Sequence, residues 1–187
     1  MSVNVRSPDW NCKQAHLLAS LGQCSAGGVV IEFAMLAPLF IGLIMASLQV
    51  GLLYLSQQGL ETAAEDTSRL VLTGQSQNAA QTAAQFKTSA CAALPPYLSC
   101  SKLYVDITTA SSFANATLTP PTFTYDSSGN VTNTFNYSTG SRNSIVVLRL
   151  MYIMPVVDIP FGLKMSNAGG GKRLIMATAV FKNEIYS

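Results

Sequence analysis

Residues 27–55 have the sequence GGVVIEFAMLAPLFIGLIMASLQVGLLYL, and this stretch decides the fold of the chain. The part from Phe33 to Leu48 carries no charged side chain, and Gln49 follows as a polar interruption. A helix rises about 1.5 Å per residue, so twenty-odd such residues cross the roughly 30 Å hydrocarbon core of a bilayer. The stretch therefore predicts one membrane-spanning helix, at residues 28–55.

A cleavable secretory signal is the competing interpretation of this apolar run. Such signals have an apolar core of about 7–15 residues, which is shorter than the run found here. The preceding segment, residues 1–27, is also long for the charged segment that opens a signal of this kind. Lysine and arginine give no orientation, because only Lys13 and Arg69 lie close to the two ends of the run. We therefore favour a span that follows a leader at residues 1–27.

The overall composition points the same way. Of the 187 residues, 49% are hydrophobic and 11% are charged, whereas a typical soluble domain has about 25% charged residues. The net charge is only +2 and the basic residues are scattered, with one adjacent pair at Lys172 and Arg173. This distribution forms no basic patch, so we expect no nucleic-acid partner.

The remainder of the chain predicts a small α+β domain at residues 56–187. Apolar residues at helical spacing continue the first helix from Val29 to about Thr73, where Gly74 is the expected stop. Residues 76–94 predict a second helix capped by Ser76. Alternation with period two predicts an antiparallel sheet with strands at 103–108, 122–125, 131–137, 144–154 and 174–184. The amphipathic continuation of the first helix is the natural cover for this sheet.

The cysteines that follow the apolar run suggest the compartment of this domain. Cys91 and Cys100 enclose a short loop that contains the stiff pair Pro95–Pro96. A disulfide between them would contribute roughly 2–3 kcal/mol and would place the domain in an oxidising compartment. Two buried free thiols are the alternative.

Little in the sequence points to catalysis. The one histidine, His16, lies in the leader, so a histidine-based nucleophile or metal site is not available after residue 27. Glu61, Glu65 and Asp66 are most simply the solvated face of a helix. A hydrolase built on distant carboxylates stays open as an alternative. We expect no enzyme activity, no catalytic residue, no metal site and no cofactor.

The start of the apolar run resembles a known processing signal. Gly27 and Gly28, three apolar residues, Glu32–Phe33 and an apolar helix with Pro38 are similar to the class III signal of type IV prepilins. More narrowly, residues 27–75 and the ending AVFKNEIY resemble the TadE-like minor pseudopilins of the tight-adherence (Flp) pilus system. The resemblance is specific over residues 27–75 and is absent from the middle of the chain.

This resemblance implies a structural role in pilus assembly. It implies processing by a membrane aspartyl prepilin peptidase at the inner membrane of a Gram-negative bacterium. Gly27 would be the last residue of the leader, Gly28 the new N-terminus and Glu32 the fifth residue; cleavage after Gly28 is the alternative. The domain would be periplasmic, within the fibre or at its base. The implied partners are other pilin or pseudopilin subunits and the assembly machinery.

The physical chemistry of Glu32 agrees with this scheme. A charge in hydrocarbon costs about 2.5–3.5 kcal/mol, and cleavage creates an amino group that could pair with it from a neighbouring helix. The span also carries a row of small residues and one proline at spacing four, which would let helices approach closely. The row consists of Ala34, Pro38, Gly42 and Ala46. Ordinary glycine and alanine content in a membrane helix is the alternative explanation of the row.

An uncleaved single-pass anchor with a periplasmic binding or scaffold domain is the alternative function. It predicts that Gly27 and Glu32 can be replaced without loss of activity. An anchored enzyme is a third hypothesis, which the missing histidines disfavour.

Overall fold

The structure is a computed structural model that describes residues 25–127, 130–158, 164–168 and 170–185. Most of the predicted leader, up to residue 24, lies outside these ranges. The described residues fall into two compact units, one ending at Met45 and the other beginning at Ala46. Together they have an α+β fold, as the sequence predicts.

The long first helix, α1, extends over Ser25–Leu72. It contains Pro38, which removes one backbone donor from the helical hydrogen-bond pattern. The helix ends as predicted at Gly74, whose φ of 77° is accessible to glycine without a steric penalty. The backbone N–H of Gly74 donates to the carbonyl oxygen of Val71 at 3.1 Å and closes the last turn.

The predicted second helix is divided in two, so the single helix from Ser76 is wrong. A short helix, α2, covers Gln75–Asn78, and a longer one, α3, covers Ala83–Ala92. The cause is a stronger start signal at Thr82. Its hydroxyl accepts the N–H of Gln85, and the side chain of Gln85 accepts the N–H of Thr82 in return, which is a complete capping box.

Three strands form one antiparallel sheet within the described residues, in the order β1–β2–β3. Their bounds are Leu103–Ala110, Ile145–Pro155 and Lys172–Lys182. The central strand, β2, is buried from Val146 to Ile153, since both faces of the sheet are covered. This explains why it is the most continuously apolar strand of the chain.

One face of the sheet packs on the helices. The second half of α1 and the inner face of α3 contribute to this core, which confirms that α1 covers the sheet. The core includes Leu60, Ala63, Ala64, Val71, Phe86, Ala90, Leu103, Ile107, Leu148 and Leu150.

The other face is covered by the segment between β1 and β2. The predicted strands at 122–125 and 131–137 are wrong, because only isolated bridges remain, one of them between Tyr125 and Val131. Two backbone hydrogen bonds keep a short hairpin turn, from the Asp126 N–H to Asn130 and from the Thr132 N–H to Thr124, both at 2.9 Å. Beyond this turn a side-chain amide takes over, since Asn133 accepts the N–H of Thr124 and donates to a backbone carbonyl. The aromatic side chains of this segment contact the sheet instead. Phe123 and Phe135 lie with their ring centroids 5.8 and 5.5 Å from that of Tyr104.

Candidate functional site

The candidate processing site lies at the beginning of α1. Gly27 and Gly28 belong to its first turns, since the helix begins at Ser25. Glu32 and Phe33 follow one turn later, and both side chains are exposed. Within the described ranges, Glu32 forms no ion pair. A carboxylate in this position is available to a cation from another chain.

The small-residue row lies on one stripe of α1, because positions four apart share a helix face. Ala34 and Pro38 are exposed, and Gly42 and Ala46 are partly exposed. A Cβ added to Gly42 would meet nothing within 4 Å. As far as the described residues show, the row is therefore open to a partner helix.

The apolar side chains around this row are equally uncovered. In the described part of the chain, α1 is long and apolar enough to cross a membrane. Its large exposed side chains include Val29, Ile31, Met35, Leu39, Phe40, Ile44, Leu48 and Leu52. A contiguous apolar surface of this size requires lipid or other helices as its surroundings.

A disulfide loop is attached to α1 beyond the predicted span. Cys91, in α3, is bonded to Cys100, with their Cα atoms 5.4 Å apart. The loop between them contacts α1, and the Tyr97 hydroxyl donates to the carbonyl oxygen of Leu55 at 3.1 Å. This contact lies at the point where the predicted span ends.

Gly59 makes this attachment possible. A Cβ at this position would lie 2.6 Å from the Cγ of Pro95 and 3.1 Å from the hydroxyl oxygen of Tyr97. Only a glycine lets the helix backbone approach the loop so closely. Our sequence interpretation missed this residue, although a glycine inside an amphipathic helix is a signal of close packing.

The sequence interpretation also missed a buried ion pair on the far face of the sheet. Arg149 of β2 donates from Nη2 and Nε to Oδ2 of Asp106 in β1, at 2.6 and 3.0 Å. The backbone N–H of Asn136 donates to the other carboxylate oxygen at 2.8 Å. Nη1 of Arg149 donates to the carbonyl oxygen of Thr119 at 3.1 Å. The pair thus ties the covering segment to the sheet.

A cleft of about 350 Å³ opens near the starts of β1 and β3. Its lining includes Lys102, Lys172 and Tyr125, and the Lys172 ammonium lies 5.1 Å from the ring centroid of Tyr125. Burial raises the pKa of Tyr125, so its phenol stays neutral at physiological pH. The cleft contains no carboxylate–carboxylate pair or thiol among its described residues.

Metal-ligand groups do not converge in the part of the chain that the structure describes. No three His, Cys, Asp or Glu side chains there lie close enough to hold an ion. The carboxylates of Glu61, Glu65 and Asp66 are exposed on α1, and Glu61 accepts a hydrogen bond from Gln57 at 2.7 Å. The organised features of the molecule are thus an exposed apolar helix and its attachment to a packed domain.

Comparison with known proteins identifies the segment that carries these features. No curated protein and no solved structure matches the chain significantly. The family of TadE-like proteins matches residues 27–69. The matched segment begins at Gly27 and covers the small-residue row, the apolar surface and Gly59. The resemblance predicted from the sequence is confirmed over these residues: the segment 27–69 is similar to TadE-like proteins.

Proposed function

We propose that the chain is a structural minor pseudopilin of the Tad (Flp) pilus assembly system and has no enzymatic role. The observation that carries the proposal is the TadE-like match, which begins at Gly27 and coincides with the exposed apolar helix α1. Such a helix needs other helices or lipid around it, and the small-residue row offers a surface for close helix contact.

The proposal includes cleavage of the leader by a prepilin peptidase. The supporting observation is the position of Gly27 and Gly28 at the start of α1, four to five residues before Glu32. Cleavage after Gly27 creates an α-amino group with an ordinary pKa of about 8, which is a cation at neutral pH. Glu32 of a neighbouring subunit is exposed and suits such a cation, since pairing lowers the cost of both charges in the membrane.

The same proposal gives the location of each part. Residues 28–55 span the inner membrane, and residues 56–187 form a periplasmic domain. The disulfide between Cys91 and Cys100 supports an oxidising compartment for that domain. Its partners are other pilin or pseudopilin subunits and the assembly machinery of the pilus.

Mass spectrometry of the N-terminus tests this function. The protein is purified from cells with an active prepilin peptidase, as the natural chain and as the Gly27→Leu variant. We expect the natural chain to begin at Gly28 and the variant to keep its leader. The Gly42→Leu variant is the control, since it alters a glycine inside the span and leaves the cleavage site intact.

A natural chain that still begins at Met1 would contradict the proposal and favour the uncleaved anchor. Cleavage after Gly28 would keep the proposal and make Glu32 the fourth residue of the mature chain.

A further inference from the structure

Within the unit that begins at Ala46, hydrogen bonds fix the position of α1 along the sheet. Two glutamine side chains of α1 donate to backbone carbonyls beside the sheet, and a backbone N–H after β3 donates to the last turn of α1. These bonds join Gln49 to Val157 at 3.1 Å, Gln57 to Met176 at 3.1 Å and Glu184 to Leu72 at 2.9 Å. The helix therefore runs alongside β3, and the start of β3 lies level with the outer end of the predicted span.

The dimensions of a bilayer place that level at the boundary between the hydrocarbon core and the headgroups. Residues 28–55, at about 1.5 Å each, extend about 42 Å, which matches the roughly 40–45 Å of a bilayer with its headgroups. About twenty of these residues fill the hydrocarbon core, and the remaining eight or so divide between its two sides, so Gln49 lies at the outer edge of the core, next to the headgroups. Val157, which is bonded to Gln49, lies at the same depth.

The chemistry of this end of the domain suits a headgroup layer. Val157 is 70% exposed, and the exposed side chain of Tyr54 lies on the adjacent part of α1. Aromatic side chains of this kind are frequent at membrane interfaces. Four basic residues lie at this same end of the sheet. Together with Val157 we call them the basic end: Lys102, Lys164, Lys172 and Arg173.

The basic end also contains two carboxylates, which keep their negative charge and are held by hydrogen bonds within the domain. Asp158 accepts hydrogen bonds from the N–H groups of Met165 and Ser166 and from the Ser166 hydroxyl. Asp126, near the cleft, accepts two from Asn130. The exposed acidic residues Glu61, Glu65, Asp66 and Glu184 lie further along α1 or after β3. With Asp126 and Asp158 counted, cations still exceed carboxylates at the basic end, whereas positive and negative side chains balance in the rest of the domain. Those other charges are Arg69, Lys87, Arg142, Arg149 and Lys182 against Glu61, Glu65, Asp66, Asp106 and Glu184.

We propose that the basic end docks onto the anionic phospholipid headgroups of the bilayer that α1 crosses. The inference rests on the membrane span of the proposed function. Cations near an anionic surface are attracted to it, and salt weakens this attraction within about one Debye length. Docking fixes the orientation of the domain on the membrane before the subunit is assembled.

Tryptophan fluorescence in vesicles tests the docking. The full chain carries Trp10→Phe to remove its natural tryptophan, and then one of Val157→Trp, Ile185→Trp or Ile44→Trp. Each variant is reconstituted in phosphatidylcholine vesicles with or without phosphatidylglycerol. Nitroxide-labelled headgroups quench fluorescence at the interface, and brominated acyl chains quench it in the hydrocarbon. Val157 and Ile185 are both highly exposed, at 70% and 83%, so both sites accept the replacement.

We expect headgroup quenching for Val157→Trp in anionic vesicles and little for Ile185→Trp, after the far end of β3. Neutral vesicles, added salt or the pair Lys102→Ala and Lys164→Ala should lower the first signal, although the bond to Gln49 still holds Val157 near the interface. An equal signal in neutral and anionic vesicles would show that the span alone positions Val157, which overturns the docking. The matched control is the pair Arg69→Ala and Lys182→Ala, which removes the same amount of charge and should leave the Val157→Trp signal unchanged.

The three tryptophan positions separate the possible failures. If acyl bromines quench Ile44→Trp while Val157→Trp is quenched no more than Ile185→Trp, the docking is wrong and the span stands. If Ile44→Trp is not quenched, the span fails and the docking fails with it. A blue shift of Val157→Trp without lipid quenching would show that a second copy of the chain covers the basic end, which also overturns the docking.

Discussion

At the scale of single residues, the buried pair of Asp106 and Arg149 is the most consequential polar contact of the domain. Directly paired strand positions bring the two side chains together, and the segment between β1 and β2 closes over them. Their side chains are only 5% and 9% exposed, so neither charge is hydrated in compensation. Such a pair adds little net stability, but removal of one partner strongly destabilises the fold, because the other charge is then buried without compensation.

We predict that Asp106→Asn lowers the free energy of unfolding by about 3–5 kcal/mol, because it leaves the Arg149 guanidinium buried without a countercharge. Denaturant unfolding in detergent, followed by near-ultraviolet circular dichroism, measures the change. Asp66→Asn removes the same charge from the exposed face of α1 and should change stability by less than about 0.5 kcal/mol. The double change Asp106→Leu and Arg149→Met should cost less than the sum of the two single changes. Simple additivity would contradict the coupling.

Asp158 gives a prediction about pH. Hydrogen bonds from the Ser166 hydroxyl and N–H, then from the Met165 N–H, lower the pKa of its carboxyl group below the ordinary value. Because the folded pKa is the lower one, the contribution to stability is present above the ordinary value of about 3.9 and is lost as pH falls through the folded value. We expect the amides of Met165 and Ser166 to lose protection below about pH 4.

Hydrogen exchange of these two amides, compared with amides inside β3, measures this loss. Asp158→Asn keeps an acceptor but removes the titration, so the relative protection in this variant should not change with pH. An identical pH profile in both proteins would show that another group is responsible.

At the scale of elements, the contact between α1 and the disulfide loop depends on one missing side chain. We predict that Gly59→Ala destabilises the domain by about 1–3 kcal/mol, since the new methyl group would collide with the Pro95 ring. Gly51→Ala lies in the same helix and meets nothing within 4 Å, so it is the matched control. It should be neutral or stabilise the helix, by up to about 1 kcal/mol. Thermal unfolding of both variants in detergent gives the comparison, and equal melting temperatures would contradict the close approach.

The elements differ in how far the sequence determines them. The bounds of α1 follow from a local pattern of apolar residues and from Gly74, and the three strands follow from their alternation. The start of α3 depends on the competition between two hydroxyl residues, Ser76 and Thr82, and only the second completes a capping box. The segment at 122–137 has strand-forming residues, but its aromatic rings cover the sheet instead of extending it.

The parts of the candidate site differ in the same way. The glycines before Glu32, the small-residue row and the apolar run are all local and can be identified in the sequence. The pairing of Asp106 with Arg149 depends on strand register across 43 positions, and the approach of Gly59 to Pro95 depends on the path of the disulfide loop. Contacts of this kind arise only from tertiary packing, which no local pattern encodes.

At the scale of the whole molecule, the two compact units have opposite relations to their surroundings. The unit that begins at Ala46 encloses a core of its own, built from α1, α3 and the sheet. In the unit that ends at Met45, most of the large apolar side chains that the structure describes are exposed, among them Val29, Phe33 and Phe40. The unit that begins at Ala46 therefore buries its apolar side chains within itself. The apolar side chains of the unit that ends at Met45 need lipid or other helices to cover them.

The last prediction concerns the carboxylate of Glu32, which the unit that ends at Met45 presents to those helices. We predict that Glu32→Gln leaves cleavage at Gly27 unchanged but weakens association with partner subunits. If Glu32 neutralises the N-terminal amino group of a neighbour, its removal leaves a cation unpaired in the membrane at a cost of about 2.5–3.5 kcal/mol, roughly a fiftyfold loss or more in association. Mass spectrometry gives the processed N-terminus, and cross-linking of subunits in membranes gives the association.

Glu65→Gln is the matched control for this change. It replaces the same side chain on the same helix, at an exposed position after the apolar run. Normal association of Glu32→Gln, or an equal loss in both variants, would show that Glu32 does not meet the amino terminus of a neighbour. A loss confined to Glu32→Gln, reversed when the mature N-terminus of the partner is acetylated, would assign the pair to these two groups, because acetylation removes the cation that the carboxylate neutralises.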